Sequence, residues 1–308
     1  IAVDRFMLNG VNHIFYHGTT YSPPGEPWPG WLFYAAVHLN PRNSLWKDFD
    51  ALNEYVARCQ SLLQNSTSDN DVLLYYPVYD RFSSPGKEMI EHFDGIGKQF
   101  ENTAFERSAK EMMEKGYGFD YISDKQIANT SRINENLKTE GNSFYKVLVI
   151  PHGDYIPLKT FQNIIALAEA GATIIAFEGL PAQVSGFAEI EKNQLSFRDA
   201  LSKLIVTEEV RKGLNEIKTG KGRILTGRNL DDLLSYAAVR KETLVDKEID
   251  FIRKKESHGR TLYFLSNRTD QLFEDWLPLE VKANAIVIYD PITGKYGKEK
   301  KKKNENGK

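Results

Sequence analysis

The sequence has one cysteine, no long apolar run and almost no net charge. A single cysteine, Cys59, leaves no partner for an intrachain disulfide. No run of 18 or more apolar residues occurs, so no segment is predicted to span a membrane. The net charge of −2 hides a more acidic body: residues 295–308 carry seven Lys against two Glu, and residues 1–294 carry 33 basic against 40 acidic residues. This balance of charges does not predict the basic surface that binds a nucleic acid.

The most informative stretch is residues 9–31, which combine a predicted strand with a loop rich in rings and prolines. Val11–His17 is rich in β-branched and aromatic residues and lies between Gly10 and Gly18, which predicts a strand. The loop that follows contains four prolines between residues 23 and 29, and these exclude helix and sheet. The pattern indicates a strand that runs directly into a rigid, irregular loop.

The loop carries Tyr21, Trp28 and Trp31, large rings that are costly to leave exposed without a function. Two interpretations fit: a rigid lid packed on its own domain, or an aromatic wall of a ligand site. Sugars have apolar ring faces that pack on Trp and Tyr, and hydroxyls that bond to His, Asn and Thr. We therefore predict a substrate-binding set, which comprises Asn12, His17, Tyr21, Trp28 and Trp31.

His13 and His17 do not form a metal pair on a strand. Four residues of strand span about 13 Å at ~3.3 Å per residue, so the two rings cannot share one ion. Since His13 lies deeper in the strand, we expect it to be a half-buried structural residue. His17 is at the end of the strand, where a ring nitrogen can bond to a sugar hydroxyl.

Residues 45–64 are predicted to form an amphipathic helix capped by Asn43 or Ser44. Its apolar stripe is Phe49, Leu52, Val56, Cys59 and Leu63. Cys59 falls on this stripe and is therefore expected in the core. Together with the strand before it, the helix suggests one strand-plus-helix unit of a barrel, and residues 1–66 are assigned to the C-terminal part of a (β/α)8 barrel.

Residues 67–243 alternate between short apolar strands and helices, which predicts a parallel sheet covered on both faces. The predicted strands include residues 72–76, 119–122, 145–150 and 173–177, and a helical stretch is predicted around residues 197–218. We interpret this region as a Rossmann-like or flavodoxin-like α/β support domain. No phosphate-binding glycine motif stands in the required strand-to-helix context. The loops 79–81 and 152–154 could line a cleft at the switch point, but a structural role is favoured.

The last part of the chain changes to short strands, predicted at residues 249–255, 261–266, 276–281 and 285–289. Four short strands do not close a sandwich. Residues 244–297 are therefore predicted to begin a β-sandwich, and the basic residues 298–308 are predicted to be a disordered tail.

Several motifs resemble the bacterial alpha-L-rhamnosidases of glycoside hydrolase family 106. They are GVNHIFYHGT at residues 10–19, WPGWLFY at 28–34, SLW at 44–46, YVARCQSLLQ at 55–64, DVLLYYP at 71–77 and YDPITG at 289–294. The resemblance runs along most of the chain and is densest in residues 9–78. Members of that family are much longer than 308 residues, so we expect this chain, which starts at Ile1, to be an internal piece of one.

The resemblance implies inverting hydrolysis of alpha-L-rhamnosides in rhamnose-containing oligo- or polysaccharides, a calcium ion at the sugar, and a periplasmic or secreted location. Inversion needs two carboxyls about 6.5–9.5 Å apart. Near the aromatic rings the acidic residues are Asp4 and Glu26, and neither follows a predicted barrel strand. We therefore expect the acid and base on upstream barrel strands, the chain alone to be inactive, and its partners to be an upstream barrel and downstream β domains. The alternative is a noncatalytic carbohydrate-binding or structural scaffold protein.

Overall fold

The computed structural model describes residues 2–18, 20–83, 100–267 and 269–302. They belong to two compact units. The first comprises residues 1–67, 248–275 and 281–308, and the second comprises residues 68–247 and 276–280. The predicted first and third domains, 1–66 and 244–297, therefore lie largely in one unit. A three-stranded sheet explains this, because it pairs a strand near residue 67 with two strands near the end of the chain.

The helices of the described residues are α1 Ala2–Leu8, α2 Phe49–Gln64, α3 Val78–Ser83, α4 Ala104–Lys115, α5 Asp124–Ala128, α6 Leu158–Glu169, α7 Ile190–Ser202 and α8 Leu230–Tyr236, with 3₁₀-helices at Ser44–Asp48 and Thr243–Lys247. The strands are β1 Ser66–Ser68, β2 Val72–Tyr75, β3 Phe119–Ile122, β4 Ser131–Ile133, β5 Asn136–Lys138, β6 Phe144–Tyr145, β7 Val147–Pro151, β8 Tyr155–Ile156, β9 Thr173–Phe177, β10 Gln183–Val184, β11 Glu208–Arg211, β12 Leu214–Thr219, β13 Gly222–Gly227, β14 Ile249–Glu256, β15 Thr261–Asn267, β16 Ile286–Tyr289 and β17 Tyr296–Glu299.

The second unit is built on a seven-stranded sheet in the order β11-β12-β13-β9-β7-β2-β3. The five strands from β13 to β3 are parallel, and β12 is antiparallel to both of its neighbours. Counted along the chain, the parallel strands have the flavodoxin-like order 2-1-3-4-5. The sheet is therefore the parallel α/β arrangement that the alternating strands and helices predict.

Both faces of this sheet are covered, which explains why its strands are apolar at every position. Leu73, Leu148 and Ile174 lie in one buried cluster with residues of α6 and α7. Alternate positions, such as Leu74 and Val149, lie in a second cluster with residues of α4 and α8. The alternation follows from the two-residue period of a strand, and it divides the core into two layers.

The first unit is organised around α2. Val56, Cys59 and Leu63 are buried on this helix with Met7 of α1. These positions confirm most of the predicted stripe, although Leu52 is exposed. A sheet in the order β1-β14-β15 and a separate hairpin, β16–β17, complete the described part of this unit. Arg58 of α2 donates from Nη1 to the carbonyls of Pro291 and Ile292, which fixes the hairpin turn on the helix.

Three predicted elements differ from the structure. Residues 11–18 form no strand, because side chains of α2 replace a ladder: Gln60 Oε1 accepts from Ile14 N at 2.6 Å, and Gln64 Nε2 donates to Asn12 O at 2.7 Å. The stretch 197–218 is not one helix, since α7 ends at Ser202 and Gly213, at φ +76°, turns the chain between two strands. Residues 276–281 form no strand, and Pro278 there has no N–H to donate.

Lys298 and Glu299, the first residues of the predicted disordered tail, pair in β17 with β16. The tail residues 303–308 lie outside the described part of the chain. Within the described residues, none of the helices combines the length and apolar character needed to cross a membrane.

Candidate functional site

The segment 11–18 leads into an irregular loop, residues 20–43, called the aromatic loop below. The segment lies along α2, where Ile14 packs against the buried cluster of Met7, Val56 and Cys59. At its far end, Val37 N donates to His17 O at 3.2 Å. Gly18, at φ +78°, has no space for a side chain, since a Cβ there would lie 2.9 Å from Ala36 Cβ. Residues 17 and 18 are therefore held directly beside residues 36 and 37.

Arg42 and Ser22 fix the course of the aromatic loop. Trp28 Nε1 donates to Arg42 O at 2.9 Å, and Arg42 Nη1 donates to Glu26 O at 3.0 Å. Trp31 N donates to Ser22 Oγ at 2.9 Å. The indole of Trp28 is thus bonded to the backbone of Arg42, and the backbone of Trp31 to the side chain of Ser22, so that a segment without regular structure keeps a defined conformation.

Gly30 lies in close contact with the side chains of Ser22 and Arg42. Its φ is +88°, and a Cβ there would lie 2.4 Å from Ser22 Oγ and 2.9 Å from Arg42 Nη1. Only glycine adopts this conformation without strain and leaves space for both side chains. The turn Trp28–Trp31 is therefore closed on one side by Ser22 and Arg42.

The rings of the aromatic loop point to solvent instead of packing on their own unit. Tyr21 is 78% exposed, Trp28 77%, Trp31 54% and Tyr34 96%. Phe33 lies against Tyr34 with ring centroids 5.0 Å apart, and Leu32 is also exposed. A contiguous stretch of exposed apolar residues of this kind is typical of an interaction surface. The rings are therefore not packed on their own unit as a lid would be.

The predicted binding residues fall into two groups. Tyr21, Trp28 and Trp31 lie in the aromatic loop, in the frame made by Ser22 and Arg42. Asn12 and His17 lie on the segment 11–18, and each is tied through its backbone carbonyl, Asn12 to Gln64 and His17 to Val37. The side chain of His17 is exposed at the point where the segment meets the loop.

His13 corrects the prediction of a half-buried structural histidine. It is exposed, and its ring lies 4.2 Å from that of Phe15, centroid to centroid, while Phe15 is itself exposed. The physical reason is that residues 11–18 form no ladder, so neither side of the segment is covered by a neighbouring strand. Tyr16 lies against Phe49 of α2, and its burial raises the pKa of its phenol.

The sequence pattern pointed to the rings but not to what holds them. Ser22 and Arg42 belong to no recognisable motif. They accept hydrogen bonds from Trp31 and Trp28 only because of the path of the loop, which a periodic sequence pattern does not predict. Two signals were available: the Pro-Gly dipeptide at residues 29 and 30 marks a turn, and Tyr34 continues the aromatic run beyond Trp31.

At the carboxyl edge of the parallel sheet, the two segments predicted to lie at the switch point meet, although residues 79–81, predicted as a loop, belong to the helix α3. Asp80 Oδ1 accepts from Asp154 N at 2.6 Å and from Tyr155 N at 3.1 Å. Burial raises the pKa of the Asp80 carboxyl, although these two backbone donors oppose the shift. A Cβ at Gly153 would lie 2.2 Å from Asp80 Oδ2. Asp80 therefore tethers α3 to the connection that follows β7, which agrees with a structural role.

No three His, Cys, Asp or Glu side chains of the described residues come together in a set that could hold a metal ion. Asp4, one of the two acidic residues near the aromatic rings in sequence, accepts from Tyr55 Oη at 2.5 Å. The described side chains thus offer no calcium ligand set of this kind, and no chemical step is assigned to calcium.

Comparison with known proteins identifies the family. A family model described as alpha-L-rhamnosidase, glycoside hydrolase family 106, matches residues 1–301. The chain belongs to this family. The match confirms the resemblance seen in the motifs and places the chain among glycoside hydrolases, with the aromatic loop inside the matched region.

Two similar proteins are much longer than this chain. It resembles the structure of a rhamnosidase from Novosphingobium sp. PP1Y, with 17% identity, a TM-score of 0.62, and coverage of 96% of this chain and 26% of that one. It is 27% identical over 173 residues to a Formosa agariphila protein named "Putative beta-glucuronidase", over 56% of this chain and 13% of the relative. The chain thus spans about a quarter of the first and about an eighth of the second.

The first of these likenesses shows a shared mixed α/β fold. A beta-galactosidase from Bacillus circulans sp. alkalophilus aligns with 83% of this chain and 43% of its own length, at 10% identity and a TM-score of 0.47.

Proposed function

We propose that the chain is part of an alpha-L-rhamnosidase in which the aromatic loop forms one wall of the sugar pocket. Family membership supports the reaction class. The proposed position of the wall is supported by the exposed rings of the aromatic loop, whose path is fixed by Ser22 and Arg42. These rings are Tyr21, Trp28, Trp31 and Tyr34. A loop ordered before the ligand arrives loses less conformational entropy on binding, which favours affinity.

Each predicted residue has a chemical role in this proposal. Trp28 and Trp31 pack on the apolar faces of sugar rings, and Tyr21 adds a ring and a phenol. His17 and Asn12 supply hydrogen-bonding groups for hydroxyls, since an imidazole donates and accepts and an amide does the same. The substrate class is rhamnose-containing oligo- or polysaccharide, and the place of action is the periplasm or the outside of the cell.

The catalytic carboxyls and the rest of the architecture are part of the same proposal. Inversion requires an acid and a base about 6.5–9.5 Å apart. Asp4 of α1 accepts a hydrogen bond from Tyr55 of α2, and the backbone carbonyl of Glu26 accepts one from Arg42 in the aromatic loop. We assign the acid and base to barrel strands outside this chain, the segment 11–18 with α2 to the C-terminal part of that barrel, and β14–β17 to the beginning of a β-sandwich. Calcium at the sugar is also a proposal, to which no described residue is assigned.

The test is activity of the full-length protein on an aryl alpha-L-rhamnoside. Trp28→Ala and Trp31→Ala should each lower kcat/KM about tenfold or more, because each removes a stacking surface. The melting temperature should change little, since both rings are largely exposed. Phe187→Ala is the matched control, because Phe187 is 95% exposed but lies in the α/β unit. Equal effects of all three changes would contradict the proposed wall.

The alternative is a noncatalytic carbohydrate-binding or scaffold protein. Rhamnose binding and rhamnose release, measured on the same full-length protein, distinguish it from an enzyme. If the full-length protein binds rhamnose, loses that binding in Trp28→Ala, and yet releases no rhamnose from aryl or natural rhamnosides, the wall is correct and the enzyme assignment is wrong.

A further inference from the structure

The α/β unit has an open cavity of about 390 Å³ at the amino edge of its parallel sheet. The cavity lies between the first residues of β9 and β13 and the turn that joins β12 to β13. In register, Lys218 pairs with Arg223 and Arg223 pairs with Thr173, so these three side chains share one face of the sheet. Ligands of such folds usually bind at the opposite edge, so no catalytic step is assigned to this cavity.

The side chains that line the cavity carry more positive than negative charge. Lys218, Lys221 and Arg223 are cationic, and Glu216 is the anionic residue among them. Glu216 is 8% exposed and accepts from Arg223 Nη1 at 3.4 Å, so these two charges compensate each other. Lys218 and Lys221 are exposed, and neither ammonium group has an ion-pair partner in the part of the chain that the structure describes. The cavity therefore has two uncompensated positive charges.

Arg132 of β4 adds a third positive charge beside the same cavity. A Cβ on Gly171, which lines the cavity, would lie 3.6 Å from Arg132 Nε, 3.7 Å from Arg132 Nη2 and 3.7 Å from Lys221 Cβ. Arg132 is half-buried, and its Nε and Nη1 have no hydrogen-bond partner among the described residues. Nη2 is not one of the buried atoms and remains open to a ligand. A guanidinium keeps its charge, and a charged group is rarely buried without a partner.

The turn that carries Lys221 is held against the end of α6. Lys221 N donates to Glu169 O at 2.9 Å. A Cβ on Gly222 would lie 2.3 Å from Ala172 O, and a Cβ on Gly220, at φ +57°, would lie 2.6 Å from Glu169 O. Only glycine fits at both positions. The backbone of Lys221 is thus fixed beside the cavity before a ligand binds, which favours affinity.

We propose that this cavity binds a small oxyanion through Arg132, Lys218 and Lys221. A guanidinium forms short, charge-assisted hydrogen bonds to phosphate or carboxylate oxygens, and an ammonium group adds a point charge. The volume is at the lower end of the range for small-molecule sites, about 300–1,000 Å³, and suits a free phosphate or one acidic sugar. Both ligands present the same chemistry, an oxyanion. The inference does not rest on the proposed function, since the site lies in the α/β unit.

The experiment is a calorimetric titration of the full-length protein in a low-salt buffer. The probes are inorganic phosphate, D-glucuronate and D-glucose, the last of which has no charge. We expect phosphate or glucuronate to bind, glucose not to bind, and the affinity to fall as sodium chloride is added, because salt screens these charges. The tighter of the two anions identifies the source, a free phosphate or the carboxylate of an acidic sugar. Equal binding of glucose, or no binding of either anion, overturns the inference.

Substitutions locate the bound anion. Lys221→Ala and Arg132→Gln should each weaken its binding about tenfold or more, and Arg132→Lys should weaken it less, because it keeps the charge. Lys159→Ala is the matched control, since Lys159 is exposed at the other end of α6 and should leave the affinity unchanged. The inference is wrong if Lys221→Ala and Arg132→Gln bind as the parent does, or if Lys159→Ala loses as much. Trp28→Ala should bind the anion normally, so neither result bears on the proposed wall.

Discussion

The two units of the chain use opposite means to hold their polar groups. In the α/β unit, backbone groups pair in a parallel sheet and side chains bury apolar surface on both of its faces. In the aromatic loop of the other unit, side chains of Ser22 and Arg42 bond to the backbone while the rings remain exposed. The first arrangement suits a support, because its stability is spread over many contacts. The second suits a recognition surface, because the rings are positioned but not covered.

The buried ion pairs of the α/β unit should give the largest stability effect. Arg240 donates to both oxygens of Asp71, from Nε at 2.8 Å and from Nη2 at 2.7 Å, and also bonds to Asp69. Asp71 is only 5% exposed. Arg240→Ala leaves that carboxylate buried without its main partner and should destabilise the unit by about 3 kcal/mol. Urea unfolding, with hydrogen exchange of β2 and β7, measures this directly.

Lys203→Ala is the control for that change. Lys203 forms an exposed pair with Asp199 one helical turn away, which contributes about 0.5 kcal/mol or less. If both variants lose the same stability, the buried network does not support the sheet.

Acid sensitivity should follow the same network. Burial would raise the pKa of Asp71, but the hydrogen bonds and charge of Arg240 outweigh it and hold the pKa below its ordinary value. A carboxyl with a lowered folded pKa contributes stability above its unfolded pKa of about 3.9, and this contribution is lost as the pH falls through the folded value. Asp71→Asn should be less stable at pH 7 and should lose less stability between pH 5 and pH 2.

A similar or steeper acid loss in Asp71→Asn would show that other carboxyls control the transition. The unfolding free energy of both proteins, measured at intervals of one pH unit, decides between these outcomes.

The helices and strands of the α/β unit were predictable because many residues in each of them give the same signal. Residues 72–75, 147–151 and 173–177 are apolar at nearly every position, which indicates a strand buried on both faces whatever its neighbours are. Val56, Cys59 and Leu63 recur at helical spacing and are buried as expected. In both cases one physical cause, burial of a face, fixes many residues at once.

The details of the candidate site were less predictable because each depends on one contact. The composition of residues 11–17 suggests a strand, yet Gln60 and Gln64 bond to its backbone instead, and His13 is exposed as a result. Sequence patterns report the preference of a segment but not which groups lie beside it. The bonds made by Ser22 and Arg42 were not predicted for the same reason, because they exist only in the folded loop.

Gly30 tests whether the fixed course of the aromatic loop matters. Gly30→Ala places a Cβ 2.4 Å from Ser22 Oγ and 2.9 Å from Arg42 Nη1, so the turn that carries Trp28 and Trp31 must shift. In the full-length protein we expect kcat/KM on an aryl rhamnoside to fall about tenfold, about 1.4 kcal/mol. Unfolding of the α/β unit should be unchanged.

Gly25→Ala separates displacement from backbone strain. Gly25 has a similar φ, +91°, but a Cβ there meets nothing within 4 Å. This variant should carry the conformational cost alone and retain most of the activity. If Gly25→Ala and Gly30→Ala are equally impaired, strain and not the Ser22–Arg42 contact explains the loss.

The smallest effect is expected from acidic residues at the carboxyl edge of the α/β sheet, although ligands of such folds often bind there. Asp80 uses one oxygen to accept from the backbone of Asp154 and Tyr155, which connects α3 to the strand edge. Because its pKa is raised by burial, its charged form is disfavoured in the fold, and removing the charge costs less than removing Asp71. Asp80→Ala and Asp154→Ala in the full-length protein should therefore keep turnover within a few-fold of the parent. A loss of turnover of about 1000-fold, ~4 kcal/mol, at an unchanged melting temperature would show that this edge is part of the active site. The α/β unit would then not be a support alone.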